Sequence, residues 1–397
     1  MLAVPGRPFL QIPGPTNTPL RVLAAIAQPT IDHRGPEFQE LGLSVLKRIR
    51  RVFRTGEPVI IYSASGTGAW EAALVNTLSP GDHVLMAETG HFASLWSRVA
   101  QRLDLMVDLI PGDWRSGADA GAIEARLRAD VTGKIKAVAV VHNETSTGVV
   151  SDIAAVRRAI DRCGHLALLL VDTISSLGSI DYRHDEWGVD VTVGGSQKGL
   201  MLPPGLSFNA VSPKARQAAR TARLLRSFWD WEEMLAANET GFFPYTPSTN
   251  LLQGLSVALD MLEEEGLDAV FRRHSRMAEA VRRCVQHWGF DIQASHPREF
   301  SASLTAVRLP EGFSADALRA EILAHASVSL GNGLGPLADR VFRIGHLGDF
   351  NEPTLLGTLG AIEMGLGACA IPHRKGGVEV AMSMLASRWA ARALAAE

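Results

Sequence analysis

Two apolar stretches of the chain, both rich in β-branched or leucine residues, end in side chains that can carry charge. Residues 189–194 lead through two glycines into Ser196-Gln197-Lys198, and residues 166–171 are followed directly by Asp172. Such stretches predict buried strands, and ligands of open α/β sheets lie at the carboxyl ends of the strands. We therefore expect an amine and a carboxylate to meet at one edge of a sheet.

This pair of side chains suits one cofactor in particular. Pyridoxal phosphate forms a Schiff base with a lysine amine, and an acid beside its pyridine nitrogen keeps that nitrogen protonated so that the ring can accept electrons. Lys198 and Asp172 are our candidates for these two roles. Taken alone, either side chain would more simply be a surface charge or a helix cap.

A third element strengthens the interpretation. Ser65-Gly66-Thr67-Gly68 follows a predicted strand and begins a predicted helix. The free N–H groups and the dipole at such a junction bind anions, and the glycines allow close approach of the backbone. The segment lacks the GK[ST] of a P-loop. It predicts a phosphate-binding turn in the same sheet.

Length and composition limit the other possibilities. The chain has 397 residues, more than the roughly 250 to 300 that share a single core, so two domains are expected. A net charge of −3 gives no field for nucleic acid or a membrane surface, and no apolar run is long enough to span a bilayer. The three cysteines, at positions 163, 284 and 369, show no metal or disulfide spacing. These features predict a cytoplasmic protein without a metal site.

The order of predicted elements gives the domain organisation. Residues 1–19 form an extended, proline-rich arm, and residues 20–266 alternate strands and helices, which indicates a mostly parallel sheet covered on both faces. Residues 267–288 predict a connecting helix with a solvated arginine face. Residues 289–397 form a smaller α+β domain that ends in an alanine-rich helix. The predicted strands of the large domain are 58–62, 83–87, 105–109, 136–142, 166–171, 189–194 and 206–210.

Several motifs, in this order and spacing, also resemble a known family. They are Pro13-Gly14-Pro15, Asp32-His33-Arg34, Ser65-Gly66-Thr67-Gly68, His142-Asn143-Glu144-Thr145-Ser146-Thr147-Gly148, Val171-Asp172, Ser176-Leu177-Gly178, Asp190, Gly195-Ser196-Gln197-Lys198, Pro203-Pro204-Gly205 and Phe342-Arg343-Ile344-Gly345. The sequence resembles the class V, fold-type I pyridoxal phosphate aminotransferases, in the branch of the serine–glyoxylate and alanine–glyoxylate enzymes. The resemblance implies a fold-type I transferase with a large domain and a smaller C-terminal domain.

The resemblance implies roles for individual residues. Lys198 and Asp172 would be catalytic, Arg343 would bind the substrate α-carboxylate, and Gly14 of the arm would lie against the substrate. Phe92 would stack on the cofactor ring, and Thr246 would reach the phosphate of the neighbouring subunit, so the protein would be a homodimer with shared sites. The full implied cofactor-binding set is Ser65, Gly66, Thr67, Phe92, Thr145, Asp172, Ile174, Gln197, Lys198 and Thr246. Glu71 and His91 are given structural roles.

The leading functional hypothesis is transfer of the amino group of a small L-amino acid, serine first, to glyoxylate, which gives glycine and hydroxypyruvate. One arginine for one carboxylate favours monocarboxylic donors. Alanine stays open as the donor, and so does aspartate, because Arg34 or His346 could contact a distal carboxylate. More remote alternatives are a cysteine desulfurase, for which no cysteine is well placed, and a binding module that kept the fold without the chemistry.

Overall fold

A computed structural model describes residues 8–394 of the chain. The strands are β1 (Phe9–Gln11), β2 (Val59–Tyr62), β3 (His83–Ala87), β4 (Met106–Ile110), β5 (Ile135–Val141), β6 (Asn143–Glu144), β7 (Val149–Val150), β8 (Leu168–Asp172), β9 (Val191–Gly195), β10 (Ser207–Val211), β11 (Asp291–Ile292), β12 (Leu304–Arg308), β13 (Val328–Asn332) and β14 (Val341–Gly345). The helices are α1 (Leu20–Ile26), α2 (Pro36–Phe53), α3 (Gly66–Thr77), α4 (His91–Arg102), α5 (Ala120–Ala129), α6 (Ile153–Arg162), α7 (Pro213–Ala219), α8 (Trp231–Asn238), α9 (Thr249–Glu265), α10 (Leu267–Trp288), α11 (Ala315–Ala326), α12 (Glu352–Ala368) and α13 (Gly377–Leu394).

The larger sheet has seven strands in the order β2-β10-β9-β8-β5-β3-β4. All neighbouring pairs are parallel except those of β10, which runs antiparallel to both β2 and β9. The mostly parallel sheet predicted from the apolar strands is therefore confirmed. The parallel strands β8 and β9 lie side by side, with Asp172 opposite Val193, so the residues that follow them share one edge.

Helices cover both faces of this sheet. Successive residues of each strand point to opposite faces, so every strand contributes side chains to both. In β8, Leu169 and Val171 face a cluster that includes side chains of α2, α6 and α9. Leu168 and Leu170 face a second cluster with α3 and α4. Both faces are thus buried, as expected for parallel strands that read as continuous apolar runs.

The smaller sheet has five strands in the order β1-β13-β14-β12-β11. Its first strand belongs to the N-terminal arm, because Phe9–Gln11 pairs in parallel with Val328–Leu330. The arm then crosses to the larger sheet, where the Thr16 N–H donates to the Gln197 carbonyl at 3.1 Å. It thereby bridges the C-terminal sheet and the loop that carries Lys198.

Helix α10 extends between the two sheets. Near its start, Val270 packs into the core of the larger sheet. Farther along, Met277, Val281 and Val285 pack into the core of the smaller one, where Leu385 of the C-terminal helix α13 joins them. We propose on this basis that α10 connects two globular units, with boundaries near the expected 20–266 and 289–397.

Local differences from the sequence-based expectations have simple causes. Strand β8 begins at Leu168 rather than residue 166, since the Leu166 side chain is 85% exposed and lies outside the sheet. Strand β13 was not predicted, because glycine weakens strand propensity and one glycine lies within it. No helix within residues 8–394 is long and apolar enough to cross a bilayer.

Candidate active site

Lys198 lies in the loop that follows β9, and its side chain is buried. Its Nζ donates a hydrogen bond to the Pro13 carbonyl of the arm. The next arm residue, Gly14, has φ +91°, and a Cβ atom there would lie 2.2 Å from Cδ of Lys198. Glycine is therefore required at this position both by the backbone conformation and by the lysine that passes beneath it.

Asp172 is the last residue of β8, and it is also buried. Its Oδ2 accepts from Nε1 of Trp70 at 3.0 Å, and its Oδ1 accepts from the N–H of Ile174 at 2.6 Å. Burial raises the pKa of the carboxyl to about 7, while the nearby Lys198 amine acts in the opposite direction. The carboxyl is held by two donors, so it faces the site in a fixed orientation.

Burial also lowers the pKa of the Lys198 amine to about 7. Arg343 lowers it further, and the carboxylates of Asp172 and Glu144 raise it. An amine with a pKa near neutrality can accept and release protons under physiological conditions, which a solvated lysine cannot. The four side chains influence one another electrostatically and form one site.

This depressed pKa predicts a measurable pH effect in the protein without added cofactor. Below pH 7, folding must bury a charged amine or deprotonate it, and that cost fades as the pH rises towards the ordinary lysine pKa. We expect Lys198→Met to raise Tm by roughly 2 °C or more at pH 7. The gain should shrink progressively between pH 7 and 10 in thermal scans. The exposed Lys136, replaced in the same way, should show no such trend, and a pH-independent gain for Lys198→Met would contradict the assignment.

The predicted phosphate-binding turn lies at the start of α3. Ser65 is the N-cap residue but makes no side-chain capping bond, and Ser65 and Thr67 are both exposed. A Cβ atom at Gly66 would lie 2.2 Å from Cδ1 of Ile174, so the turn packs directly against Ile174, two residues after Asp172. Unbonded hydroxyls and first-turn N–H groups at one helix start can receive an anion.

Gln197 directly precedes Lys198 in the loop that follows β9. Its Oε1 is buried and meets no hydrogen-bond donor among residues 8–394. A buried acceptor without a partner is costly in a protein, so it indicates a ligand that completes the site.

Arg343 projects from β14 and its side chain is buried. Its Nε donates to the Asn332 carbonyl at 2.7 Å and its Nη1 to the Thr145 carbonyl at 2.8 Å. Nη2 meets no acceptor among the residues that the structure describes. Burial lowers the pKa of Arg343 to about 10, and Glu144 is the charged group that most opposes this. The guanidinium is thus held in place with donors left for a carboxylate.

The remaining predicted residues differ in burial and in their contacts. Thr145 donates its hydroxyl to Oγ of Ser175 at 2.8 Å, and Phe92 and Ile174 pack, half-buried, into the same apolar cluster as Trp70. Thr246 is exposed in the loop before α9, and the neighbouring Ser248 N–H donates to Oγ of Ser63 at 3.1 Å. In the single chain, Thr246 therefore lies on the surface near the β2 end of the sheet.

The structure shows the surroundings of three further residues considered in the sequence analysis. His346 is fully buried, with Nε2 against Oγ1 of Thr305 and Nδ1 against the Ala302 carbonyl, so it has no nitrogen free for a substrate. Arg34 is exposed in the loop before α2. Glu71 accepts from Nε1 of Trp229 at 3.0 Å, which agrees with a structural role.

Three contributors to the site were not predicted. The Pro13 carbonyl binds the Lys198 amine, Trp70 binds Asp172, and Glu144 acts on Arg343 and Lys198. Glu144 lies inside the motif 142–148, next to Thr145, and Trp70 lies two residues after the predicted phosphate-binding turn. No sequence signal could have assigned the Pro13 carbonyl, because a backbone group carries none.

Comparison with known proteins identifies the family. The model of the family described as "Aminotransferase class-V" matches residues 9–334. The chain belongs to this family. The match includes residues 9–19 of the arm, the turn that begins α3, Asp172 and Lys198, whereas Arg343 lies beyond its end. The class V aminotransferase fold expected from the sequence is therefore confirmed.

Individual relatives cover nearly the whole chain. The serine–glyoxylate aminotransferase of Methylorubrum extorquens is 49% identical over 372 residues, which cover 91% of this chain and 92% of that protein. The L-aspartate–glyoxylate aminotransferase of Paracoccus denitrificans is 44% identical over 366 residues and covers 92% of each. Among solved structures, the pyridoxamine–pyruvate aminotransferase of Mesorhizobium loti superposes with a TM-score of 0.89 at 28% identity, over 96% of this chain and 98% of that one.

Proposed function

We propose that this class V aminotransferase moves the amino group of a small L-amino acid, serine first, to glyoxylate, and so produces glycine and hydroxypyruvate. One observation carries the proposal. Lys198, Asp172 and Arg343 converge in one buried site, in a chain that is 49% identical to a serine–glyoxylate aminotransferase. A binding module without chemistry would not need a buried amine whose pKa is held near 7.

We propose pyridoxal phosphate as the cofactor, and the residues present fit it. The unbonded Ser65 and Thr67 hydroxyls and the first-turn N–H groups of α3 would hold the phosphate, with the unpartnered Gln197 beside them. Thr145 would contact the ring hydroxyl, with Phe92 and Ile174 against the ring. When bound, the cofactor would supply an aldehyde for the amine and a ring that withdraws electrons from the substrate Cα.

The residues of the chain would divide the remaining work. Lys198 would hold the cofactor covalently and, once released, take and return the proton at the substrate Cα. The carboxylate of Asp172 would keep the pyridine nitrogen protonated, since a neighbouring positive charge favours its ionised form despite burial. Gly14 would leave room for the substrate beside Lys198, and Arg343 would orient the α-carboxylate.

Replacement of Arg343 by alanine tests the carboxylate role. The loss of a charge-assisted hydrogen bond of about 1.5 to 3 kcal/mol should raise KM for every α-carboxylate substrate by roughly tenfold to a hundredfold. Arg308 lies on the adjacent strand β12 and donates to Oε1 of Gln293, so Arg308→Ala is a matched control. Equal KM values for Arg343→Ala and the native enzyme would mean that another residue binds the α-carboxylate.

Of the two candidate contacts for a distal carboxylate, His346 has both ring nitrogens engaged, which leaves Arg34 as the one that a dicarboxylic donor would need. Aspartate is retained as the second candidate donor because of the 44% identity to an L-aspartate–glyoxylate aminotransferase. Desulfuration of cysteine is not favoured. Cys284 is fully buried, and burial raises the pKa of its thiol, whereas Cys163 and Cys369 lie at the ends of α6 and α12.

We further propose that the protein works as a homodimer in the cytoplasm. The exposed Thr246 would complete the phosphate site of the neighbouring subunit, and the three cysteines are unpaired, as is usual in a reducing compartment. Its substrates would be small amino acids and 2-oxo acids, and neither a nucleic acid nor a membrane is proposed as a partner. Measurement of the molecular mass in solution tests whether the protein is a dimer. Thr246→Ala should retain the cofactor more weakly if Thr246 contacts the phosphate.

A half-reaction screen tests the donor. Amino acids are added one at a time to the cofactor-loaded protein, and the rate of conversion of the bound cofactor to its amino form is read from the absorbance. Serine should react fastest, followed by alanine, with aspartate slower. Faster reaction with aspartate would transfer the assignment to the second candidate, and no reaction with any amino acid would refute a transaminase.

A further inference from the structure

Glu144 is a buried carboxylate that the proposed chemistry does not use. Its side chain has no exposed surface. It accepts four hydrogen bonds, from the N–H groups of Phe92 (3.3 Å), Ala93 (3.1 Å) and Ser146 (3.0 Å) and from the Ser146 hydroxyl (2.7 Å). A charge-assisted network of this kind fixes the groups that donate to it.

The donors identify what is fixed. The first N–H groups of a helix have no partner within the helix. In α4 those of His91, Phe92 and Ala93 are met by Oγ of Ser146 and by the two oxygens of Glu144. The cap of α4 is therefore supplied by a segment 51 or more positions away, and a carboxylate also suits the positive end of the helix dipole.

The approach of the two segments requires Gly90. A Cβ atom at that residue would lie 2.4 Å from Oγ of Ser146 and 2.5 Å from Cγ of Glu144. Thr145, between the two capping residues, binds Arg343 through its carbonyl and Ser175 through its hydroxyl. The segment 144–146 thus joins the start of α4 to both the cofactor side and the substrate side of the site.

We propose that Glu144 is a positioning residue that sets the ring of Phe92 against the cofactor by capping the first turn of α4. This inference rests on the proposed function, since it assumes that Phe92 contacts pyridoxal phosphate. Glu144→Gln would keep one carbonyl acceptor but place an amide N–H₂ against a backbone N–H. The first turn would lose a hydrogen bond and its orientation.

A double-mutant cycle on the full-length protein tests the proposal. The apparent Kd for pyridoxal phosphate and the visible circular dichroism of the bound cofactor are measured for the native protein, Glu144→Gln, Phe92→Ala and the double variant. We expect each single change to weaken binding by roughly threefold to tenfold, as loss of an aromatic contact does. The double variant should bind about as weakly as Phe92→Ala alone, because coupled residues are not additive.

Glu88→Gln is the matched control. Glu88 is also a carboxylate beside α4, but among residues 8–394 its side chain accepts only from the Ser94 hydroxyl, at 2.8 Å, and from none of the first-turn N–H groups. Its replacement should leave both readouts unchanged. If Glu144→Gln does not fold, Ser146→Ala replaces it, because this change removes the acceptor for the His91 N–H and leaves the carboxylate. It should alter affinity in the same direction and by a smaller factor, again only when Phe92 is present.

The outcomes separate the two proposals. Additive losses in the double variant, or unchanged affinity and circular dichroism in Glu144→Gln, would overturn the positioning role while the cofactor assignment stands. Unchanged binding in Phe92→Ala would overturn it as well, because the contact on which it acts would be absent. A native protein that does not bind pyridoxal phosphate would refute the proposed function itself.

Discussion

Replacing Lys198 by alanine is expected to lower kcat by about a thousandfold or more. Proton transfer by a positioned side chain contributes about 10²- to 10⁴-fold to a rate, and this variant would also lose the covalent attachment of the cofactor. The Lys198 amine is buried beneath the arm and away from water, so a lysine at the surface cannot reach the same position. Steady-state assays with serine and glyoxylate measure the loss.

Two further measurements connect the loss to the amine itself. Borohydride reduction followed by peptide mass spectrometry should label Lys198 in the native protein and no lysine in the variant. Small primary amines added to the assay should restore part of the activity, since they can take the proton in place of the missing side chain.

Lys214 provides the control for these experiments. Its Nζ donates to the Ala167 carbonyl at 2.9 Å, at the opposite end of the larger sheet, and Lys214→Ala should keep native turnover and labelling. Turnover above a tenth of the native value in Lys198→Ala, or labelling of another lysine, would contradict the assignment.

Asp172→Asn is expected to have the second largest effect, a loss in kcat on the order of a hundredfold or more. The amide has nearly the shape of the carboxyl but no charge, so the pyridine nitrogen would lose the partner that keeps it protonated. The side-chain N–H₂ of asparagine would also face either the N–H of Ile174 or Nε1–H of Trp70, and each of these now donates to a carboxylate oxygen of Asp172. Single-turnover rates with serine isolate this chemical step.

A second buried acid, Asp190, provides a control that separates an effect on catalysis from an effect on stability. Asp190 directly precedes β9 and accepts from the Leu169 N–H at 2.8 Å and the Ser212 hydroxyl at 3.1 Å, far from Lys198. Asp190→Asn should lower Tm but leave the single-turnover rate unchanged. If Asp172→Asn lowers Tm and spares that rate, Asp172 is a structural residue and the ring partner must be found elsewhere.

Much of the fold followed from local pattern. The apolar runs that end at Asp172 and before Lys198 predicted strands of a covered sheet, and parallel strands place their carboxyl ends at one edge. The helix at 267–288 was predicted with the bounds that the structure has, because its apolar positions recur at helical spacing between two glycines. Strand β13 and the start of β8 were missed where a glycine or an exposed leucine obscured the pattern.

The arm shows the limit of such reasoning. Its prolines predicted an extended segment that must lie on some surface, but they did not say which. The structure places it as the edge strand β1 of the C-terminal sheet and then above Lys198. Pairing of an edge strand depends on which sheet edge is open, and that is a property of the assembled chain.

The sequence by itself determined the class of fold, the strand ends that carry Lys198 and Asp172, and the glycine-rich turn that begins α3, since each depends on residues that are neighbours in the chain. Only the tertiary structure decided that Pro13 binds the lysine, that Trp70 holds the aspartate and that Glu144 caps the helix of Phe92. These contacts join segments 185, 102 and about 50 positions apart. Periodicity and motifs report on residues that are close in the sequence, whereas contacts between distant segments depend on how the helices and sheets pack in the folded chain.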